Sequence, residues 1–128
     1  MRIAGIIRES IVDGPGMRFV IFAQGCPHGC PGCHNPQTHD FEGGFDADVT
    51  SIMAEIEKNP LLRGVTFSGG EPFSQAGEFA DRAKQLKTKG LDIMTYSGYT
   101  FEEISRRAQA ISDWKRLLEH TDILADGL

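Results

Sequence analysis

The chain has 128 residues, 40% of them hydrophobic and 24% charged, with 15 Gly and 6 Pro. That size suits one compact domain with a sizeable core and excludes a multidomain organisation. With 13 Lys and Arg against 18 Asp and Glu the formal net charge is -5, so long-range electrostatics give no reason to expect nucleic acid or an acidic membrane as partner.

The opening run Arg2-Ile3-Ala4-Gly5-Ile6-Ile7-Arg8-Glu9 is too short for a signal-peptide core, and no later window approaches a membrane span, so the expected location is cytoplasmic. Arg18-Phe19-Val20-Ile21-Phe22-Ala23 is rich in β-branched and aromatic residues and follows a Gly-Pro-Gly turn; it predicts the first strand. Residues 24–44 are dense in Gly, Pro, Asn and His without apolar periodicity and predict a long ordered loop, of the kind that carries function. Over 46–58, the spacing of Val49, Ile52, Met53 and Ile56 predicts an amphipathic helix with Asp46 as N-cap. Val65-Thr66-Phe67 predicts a second strand, running into Ser68-Gly69-Gly70-Glu71-Pro72. Ala76, Phe79, Ala80, Ala83 and Leu86 define the next helix face, closed near Gly90, and residues 91–96 predict a third strand. Thr100 with Glu103 is a capping box opening a helix on Phe101, Ile104 and Ala108, whose stripe continues through Ile111, Trp114, Leu117 and Leu118 to about Glu119. Residues 121–125 predict a fourth strand.

Strands alternating with helices predict an α/β fold with a parallel sheet and right-handed crossovers. Such sheets place ligand chemistry at the C-terminal ends of their strands. The cysteine loop, the 68–72 loop and Ser97-Gly98-Tyr99 each follow a predicted strand, so all three are expected on one rim.

The three cysteines lie within eight residues, in Gln24-Gly25-Cys26-Pro27-His28-Gly29-Cys30-Pro31-Gly32-Cys33-His34-Asn35. An odd, tight set in a cytosol-type chain suits metal or redox chemistry better than disulfides. The spacing C-x3-C-x2-C lets Cys26, Cys30 and Cys33 turn three thiolates toward one soft-metal centre. A [4Fe-4S] cube held by three cysteines keeps one iron open for a substrate or cofactor. Other readings of the same residues stand beside this one. Cys30-Pro31-Gly32-Cys33-His34 also fits c-type haem attachment with His34 as axial ligand, but no export signal accompanies it. A thioredoxin-like dithiol would leave Cys26 idle, and a structural zinc site would add His28 or His34 to the three thiolates. Taken singly, His28, His39 and His120 read as loop or surface residues, and His34, beside Cys33, as a residue lining the site.

Gly14-Pro15-Gly16 makes a rigid turn before the first strand, equally compatible with plain architecture and with function. In Ser68-Gly69-Gly70-Glu71-Pro72 two glycines allow close backbone approach to a ligand, and Glu71 suits an ammonium group or the cap of the following helix.

Together, the C-x3-C-x2-C loop after the first strand and Gly-Gly-Glu-Pro after the second resemble the radical S-adenosylmethionine (SAM) superfamily. The resemblance implies a [4Fe-4S] cluster on Cys26, Cys30 and Cys33. Its open iron would chelate the amino and carboxylate groups of SAM, with Gly69, Gly70 and Glu71 at the methionyl ammonium. Glu9-Ser10-Ile11-Val12-Asp13-Gly14-Pro15-Gly16-Met17-Arg18 and Cys33-His34-Asn35-Pro36 look like the glycyl-radical-enzyme activases of that superfamily. Cys-Pro-Gly-Cys, Thr95-Tyr96-Ser97-Gly98-Tyr99 and Asp122-Ile123-Leu124-Ala125-Asp126-Gly127 are most similar to the activases of class III anaerobic ribonucleoside-triphosphate reductases. Where the superfamily often has an aromatic residue before the third cysteine this chain has Gly32, and His34 is expected to supply the flat contact to the adenine. Ser97 is a further expected SAM contact. The resemblance implies a partial (β/α) barrel with a parallel sheet, radical SAM type, as a single short domain over residues 1–128, without the further C-terminal strand region these activases usually have.

The resemblance implies that a flavodoxin- or ferredoxin-type donor reduces the cluster, that SAM is cleaved to methionine and a 5'-deoxyadenosyl radical, and that this radical takes the α-hydrogen of a glycine in the reductase large subunit. The protein's share is to hold the sulfonium and exclude solvent. A glycine loop must enter the site, so a lateral opening at the rim is expected, in a sheet of about four strands, half of a closed barrel. An activase of another glycyl radical enzyme, of the formate-lyase type, a radical SAM enzyme acting on a small molecule, and a non-catalytic iron-sulfur or zinc module are the other functions these residues fit.

Overall fold

The structure, a computed structural model, describes residues 1–28 and 40–127. Its strands are β1 (Arg2–Ser10), β2 (Arg18–Ala23), β3 (Phe45–Asp46), β4 (Gly64–Gly69), β5 (Asp92–Tyr96) and β6 (Ile123–Ala125). The helices are α1 (Val49–Glu57), α2 (Ala76–Lys87), α3 (Phe101–Ala108) and α4 (Ser112–His120). All six strands form one sheet in the order β3-β1-β2-β4-β5-β6. β2, β4, β5 and β6 run parallel, as the alternation of strands and helices requires.

The expected sheet of about four parallel strands is therefore corrected to six strands, mostly parallel, with β1 antiparallel to both β2 and β3. β1 escapes a search for alternation because its register shifts between Ile3 and Gly5, where two steps on β1 face one on β2. Such an irregularity changes which face each following side chain takes. Ile3 is buried in the core while Ile7 remains 41% exposed.

The predicted helix over 46–58 starts later. Asp46 lies in β3, opposite Arg2, and the N-cap is Asp48, whose Oδ1 accepts from Ser51 N at 3.2 Å and Oδ2 from Ser51 Oγ at 2.9 Å. The stripe expected to run unbroken from Phe101 to about Glu119 is two helices. Ile111 takes extended backbone, φ -113° and ψ 104°, as the residue before α4, and ends 42% exposed rather than in the stripe. Ile104 and Ala108 on α3 and Trp114 and Leu117 on α4 are all buried. Apolar spacing thus survives the break, and periodicity alone does not register a change of axis.

Phe19, Ile21 and Ala23 of β2, Val65 and Phe67 of β4 and Ile93 of β5 belong to one hydrophobic cluster with buried residues of every helix, among them Ile56, Phe79, Leu86, Ile104 and Leu117. The Phe67 and Phe79 rings lie 4.7 Å apart. Burying each such large side chain contributes about 1.5–3 kcal/mol, which makes this cluster the dominant favourable term of the fold. The intervening strand positions Val20, Thr66 and Met94 are also buried. The turn before β2 lies against the last two: Thr66 Oγ1 donates to the Asp13 carbonyl at 3.0 Å, and a Cβ on Gly14 would lie 2.7 Å from Met94 Sδ. Among the described residues no helix is long and apolar enough to cross a membrane.

Candidate functional site

β2 and β4 end side by side, with Ala23 the register partner of Gly69. Just beyond that pair two main-chain hydrogen bonds join the loops that leave them. Gly70 N donates to Ala23 O at 2.8 Å and Glu71 N donates to Gly25 O at 2.8 Å. The Gly-Gly-Glu segment and the segment entering Cys26 are thereby held as adjacent backbones. Gly69 is required for this approach: its φ is +91°, and a Cβ there would lie 2.7 Å from Ala23 N and O and 2.8 Å from Phe22 C. Those are backbone atoms in a paired strand and cannot give way. Cys26 follows, partly buried.

The far end of the cysteine-bearing segment returns to the same place. Gln24 Nε2 donates to Asp40 O at 2.6 Å, and the Phe41 ring lies against Gly25, whose φ is +103°. Arg2 donates from Nε to Gly43 O at 2.7 Å and from Nη2 to Glu42 O at 2.8 Å. Residues 24–25 and 40–43 therefore form a closed base.

Glu71 has no solvent exposure and is the point where the rim segments meet. Phe73 N donates to its Oε2 at 3.1 Å, so Glu71 caps the 3-10 turn Pro72–Gln75, as one of the two sequence readings expects. Ser97 Oγ lies 3.0 and 2.9 Å from the two carboxylate oxygens, and Gly98 N donates to Oε1 at 2.8 Å. His28 Nε2 lies 2.6 Å from Oε1; the carboxylate accepts, so Nε2 carries the proton. A carboxylate withdrawn from water needs such a set of donors, and bonds to a charged acceptor are the strong ones.

Ser97 is itself fixed: its N–H donates to Ala125 O at 3.0 Å, and its hydroxyl accepts from Tyr99 N at 3.1 Å. Gly127 N donates to Tyr99 O at 2.9 Å, which ties the segment after β6 to the same loop. His28, expected to be an ordinary loop residue, is only 16% exposed, and its ring meets Tyr99 edge-on, centroids 4.4 Å apart at 74°. Its presence between Cys26 and Cys30 is visible in the sequence, but its partner Glu71 lies 43 positions away, beyond the reach of any local pattern.

Of the residues expected in the site, Cys26, Gly69, Gly70, Glu71 and Ser97 come together on one rim. Cys30, Gly32, Cys33 and His34 lie outside the described residues. The rim offers buried, hydrogen-bonded polar groups and closely packed glycine backbone beside the Cys26 sulfur, a soft donor.

The chain matches the family described as a 4Fe-4S single cluster domain over residues 12–128. It is 33% identical over 129 residues to the pyruvate formate-lyase-activating enzyme of Clostridium pasteurianum, covering 96% of this chain and 50% of that protein. It is 37% identical over 119 residues to the pyruvate formate-lyase 1-activating enzyme of Escherichia coli (strain K12), covering 88% and 46%. With the anaerobic ribonucleoside-triphosphate reductase-activating protein of Vibrio cholerae it shares 33% identity over 125 residues, covering 91% and 77%. The chain thus spans about half the length of the two formate-lyase activators and 77% of the Vibrio protein.

Proposed function

The chain belongs to the 4Fe-4S single cluster domain family, and from that premise we propose that it activates a glycyl radical enzyme by reductive cleavage of SAM at a [4Fe-4S] cluster on Cys26, Cys30 and Cys33. The observation that carries this reading is the pair of hydrogen bonds from Gly70 N and Glu71 N to Ala23 O and Gly25 O. They hold a segment suited to an ammonium group directly beside the entry to the cysteines. The residues fit such a group: three cysteine sulfurs are soft donors of the kind an iron-sulfur cluster takes, and the glycines at 25 and 69 let the Phe41 ring and the end of β2 pack directly on the backbone that leads into Cys26. A cluster with three cysteine ligands supplies an open iron and a single electron.

The protein's own contribution is placement. The N–H groups of Gly70 and Glu71 are occupied within the fold, while an ammonium group needs acceptors, which the carbonyl oxygens of the same segment provide. Gly32 and His34 are assigned to the adenine, and Ser97 to the SAM side of the rim. Glu71, enclosed by Phe73, Ser97, Gly98 and His28, serves that binding by holding the rim in shape. The mostly parallel sheet, with its loops gathered at the ends of β2, β4 and β5, suits a partial (β/α) barrel open at one side for a glycine-bearing loop. One hydrophobic cluster extending from Ile3 to Leu117 supports residues 1–128 as a single domain.

For the partner we propose the large subunit of an anaerobic ribonucleoside-triphosphate reductase, and for the reductant a flavodoxin- or ferredoxin-type protein, in the cytoplasm. The two relatives named as formate-lyase activators make a formate-lyase-type enzyme the alternative substrate. The test is anaerobic cluster reconstitution followed by electron paramagnetic resonance (EPR) of the reduced protein with and without SAM. A [4Fe-4S]+ signal that changes on adding SAM, with 5'-deoxyadenosine formed, is the expected result; no cluster, or one indifferent to SAM, refutes the reading. Incubation with each candidate partner, read as a glycyl radical signal, then separates reductase from formate-lyase.

A further inference from the structure

We infer that His28 is a positioning residue: it latches the chain between Cys26 and Cys30 to Glu71 and so fixes the cysteine loop against the Gly-Gly-Glu rim. This rests on the proposed cluster on that loop. His28 stands two residues from Cys26 and two from Cys30, and its Nε2 reaches Glu71 Oε1 at 2.6 Å. The other donors to that carboxylate, Phe73 N, Ser97 Oγ and Gly98 N, belong to the loops after β4 and β5. Through His28, the loop after β2 joins them on the same buried anion.

The seat for the ring is built independently of that bond. A Cβ on Gly98 would lie 2.5 Å from Cδ2 and 2.7 Å from Nε2 of His28, so only glycine at 98 leaves the imidazole its place. Tyr99 supports the ring from the side at 4.4 Å, and Tyr99 is braced by Trp114 at 5.1 Å and by the Arg107 guanidinium 4.8 Å from its centroid. A hydrogen bond, a side-chain-free niche and an aromatic wall thus converge on one residue of the cysteine loop. Removing a group that hydrogen-bonds a metal ligand typically costs about 10–100-fold in affinity; His28 bonds Glu71 and acts on the cysteines through the chain that carries it, so its effect is expected at the low end, about 10-fold.

The test uses His28→Ala, His28→Gln, which retains a donor near the position of Nε2, and Gly98→Ala, which expels the ring while leaving both latch partners in the chain. Two readouts are taken on each folded protein, checked by far-UV circular dichroism. In the metal-free protein, the alkylation rate of Cys26, which is partly buried, is expected to rise several-fold in His28→Ala and Gly98→Ala and to stay near the original in His28→Gln. In the reconstituted protein, cluster loss to an iron chelator is expected to be about 10-fold faster in the first two, with a shifted EPR signature of the reduced cluster that His28→Gln restores. Equal alkylation rates in all four proteins overturn the latch, as does a His28→Gln variant as impaired as His28→Ala. A wild-type chain that binds no cluster refutes the proposed function instead, while its alkylation rates still decide whether the latch exists.

Discussion

Arg18 and Asp92 form an ion pair in which the guanidinium has no solvent exposure: Nη2 lies 2.5 Å from Oδ1, and the carboxylate side chain is 28% exposed. Oδ1 sits off the direction of the N–H bonds, so it makes a charge contact without an aligned hydrogen bond. The aligned bonds run from Nε to Thr66 Oγ1 at 2.7 Å, from Nη1 to Pro15 O at 2.9 Å and from Nη2 to Val65 O at 3.1 Å. One cation therefore joins the turn before β2 to the first residues of β4 and β5.

Removing it strands buried carbonyls and the carboxylate together. Arg18→Ala is expected to lower the unfolding free energy in urea by about 3 kcal/mol, the low end for breaking a buried pair because Asp92 is partly hydrated. Arg18→Lys keeps the charge but not the planar fork, and is expected to lose at least about 1 kcal/mol. A lysine variant as stable as the original would show that charge alone holds this corner.

Gly69 and Gly90 both have positive φ, +91° and +82°, but a Cβ meets backbone atoms of β2 at Gly69 and nothing within 4 Å at Gly90. Gly90→Ala carries only the left-handed strain, about 1–2 kcal/mol. Gly69→Ala adds a collision that the β2–β4 pairing must relieve, so its urea midpoint is expected to fall further than that of Gly90→Ala, with cluster uptake lost as well. Equal midpoints for the two variants would refute the close approach at Ala23.

Glu71→Gln keeps the shape of the side chain but replaces one acceptor oxygen by a donor facing other donors. At a fully buried site with Phe73, Ser97, Gly98 and His28 around it, the expected loss is about 1–3 kcal/mol, together with weaker SAM binding by equilibrium dialysis. Retained stability with SAM binding abolished would instead give the carboxylate a direct role at the ligand.

Burial of Asp122 raises its carboxyl pKa, yet the balance lies below the ordinary 3.8: the hydrogen bonds from Lys87 and Ile93 N–H and the charges of Lys87 and Arg18 together outweigh burial. A carboxyl depressed in the folded state contributes stability that is fully present above the unfolded pKa and lost as pH falls through the lower folded value. The stability difference between wild type and Asp122→Asn, about 0.5 kcal/mol at pH 7 for a half-exposed pair, is expected to shrink as pH falls below about 4. A difference that stays constant down to about pH 2 would refute the linkage.

Much of this fold is legible from local chemistry. The β-branched run of β2, the stripes of α1 and α2, and the box of Thr100 with Glu103, whose N–H bonds the Thr100 hydroxyl at 3.2 Å, all rest on neighbours within a few residues. β1 is hidden because an irregular register scrambles its alternation, and the break at Ile111 because apolar spacing continues across it. At the site, the nearness of Gly-Gly-Glu to Cys26 follows from parallel strands ending together. The bond from His28 to Glu71 does not, since it depends on how two loops fold back in space.

The closed base of the cysteine segment bears on how such a scaffold changes over generations. With Gln24 bonded to Asp40 and Phe41 seated on Gly25, the sheet is complete without reference to the length of chain between those residues. Extending a loop across fixed ends costs only about 0.6 kcal/mol per doubling, so this stretch can be lengthened, shortened or exchanged while strand register is preserved. Apart from His28, which answers to Glu71 on the frame, the stretch proposed to hold the cluster is in that sense a cassette, able to diversify while the sheet beneath it stays the same.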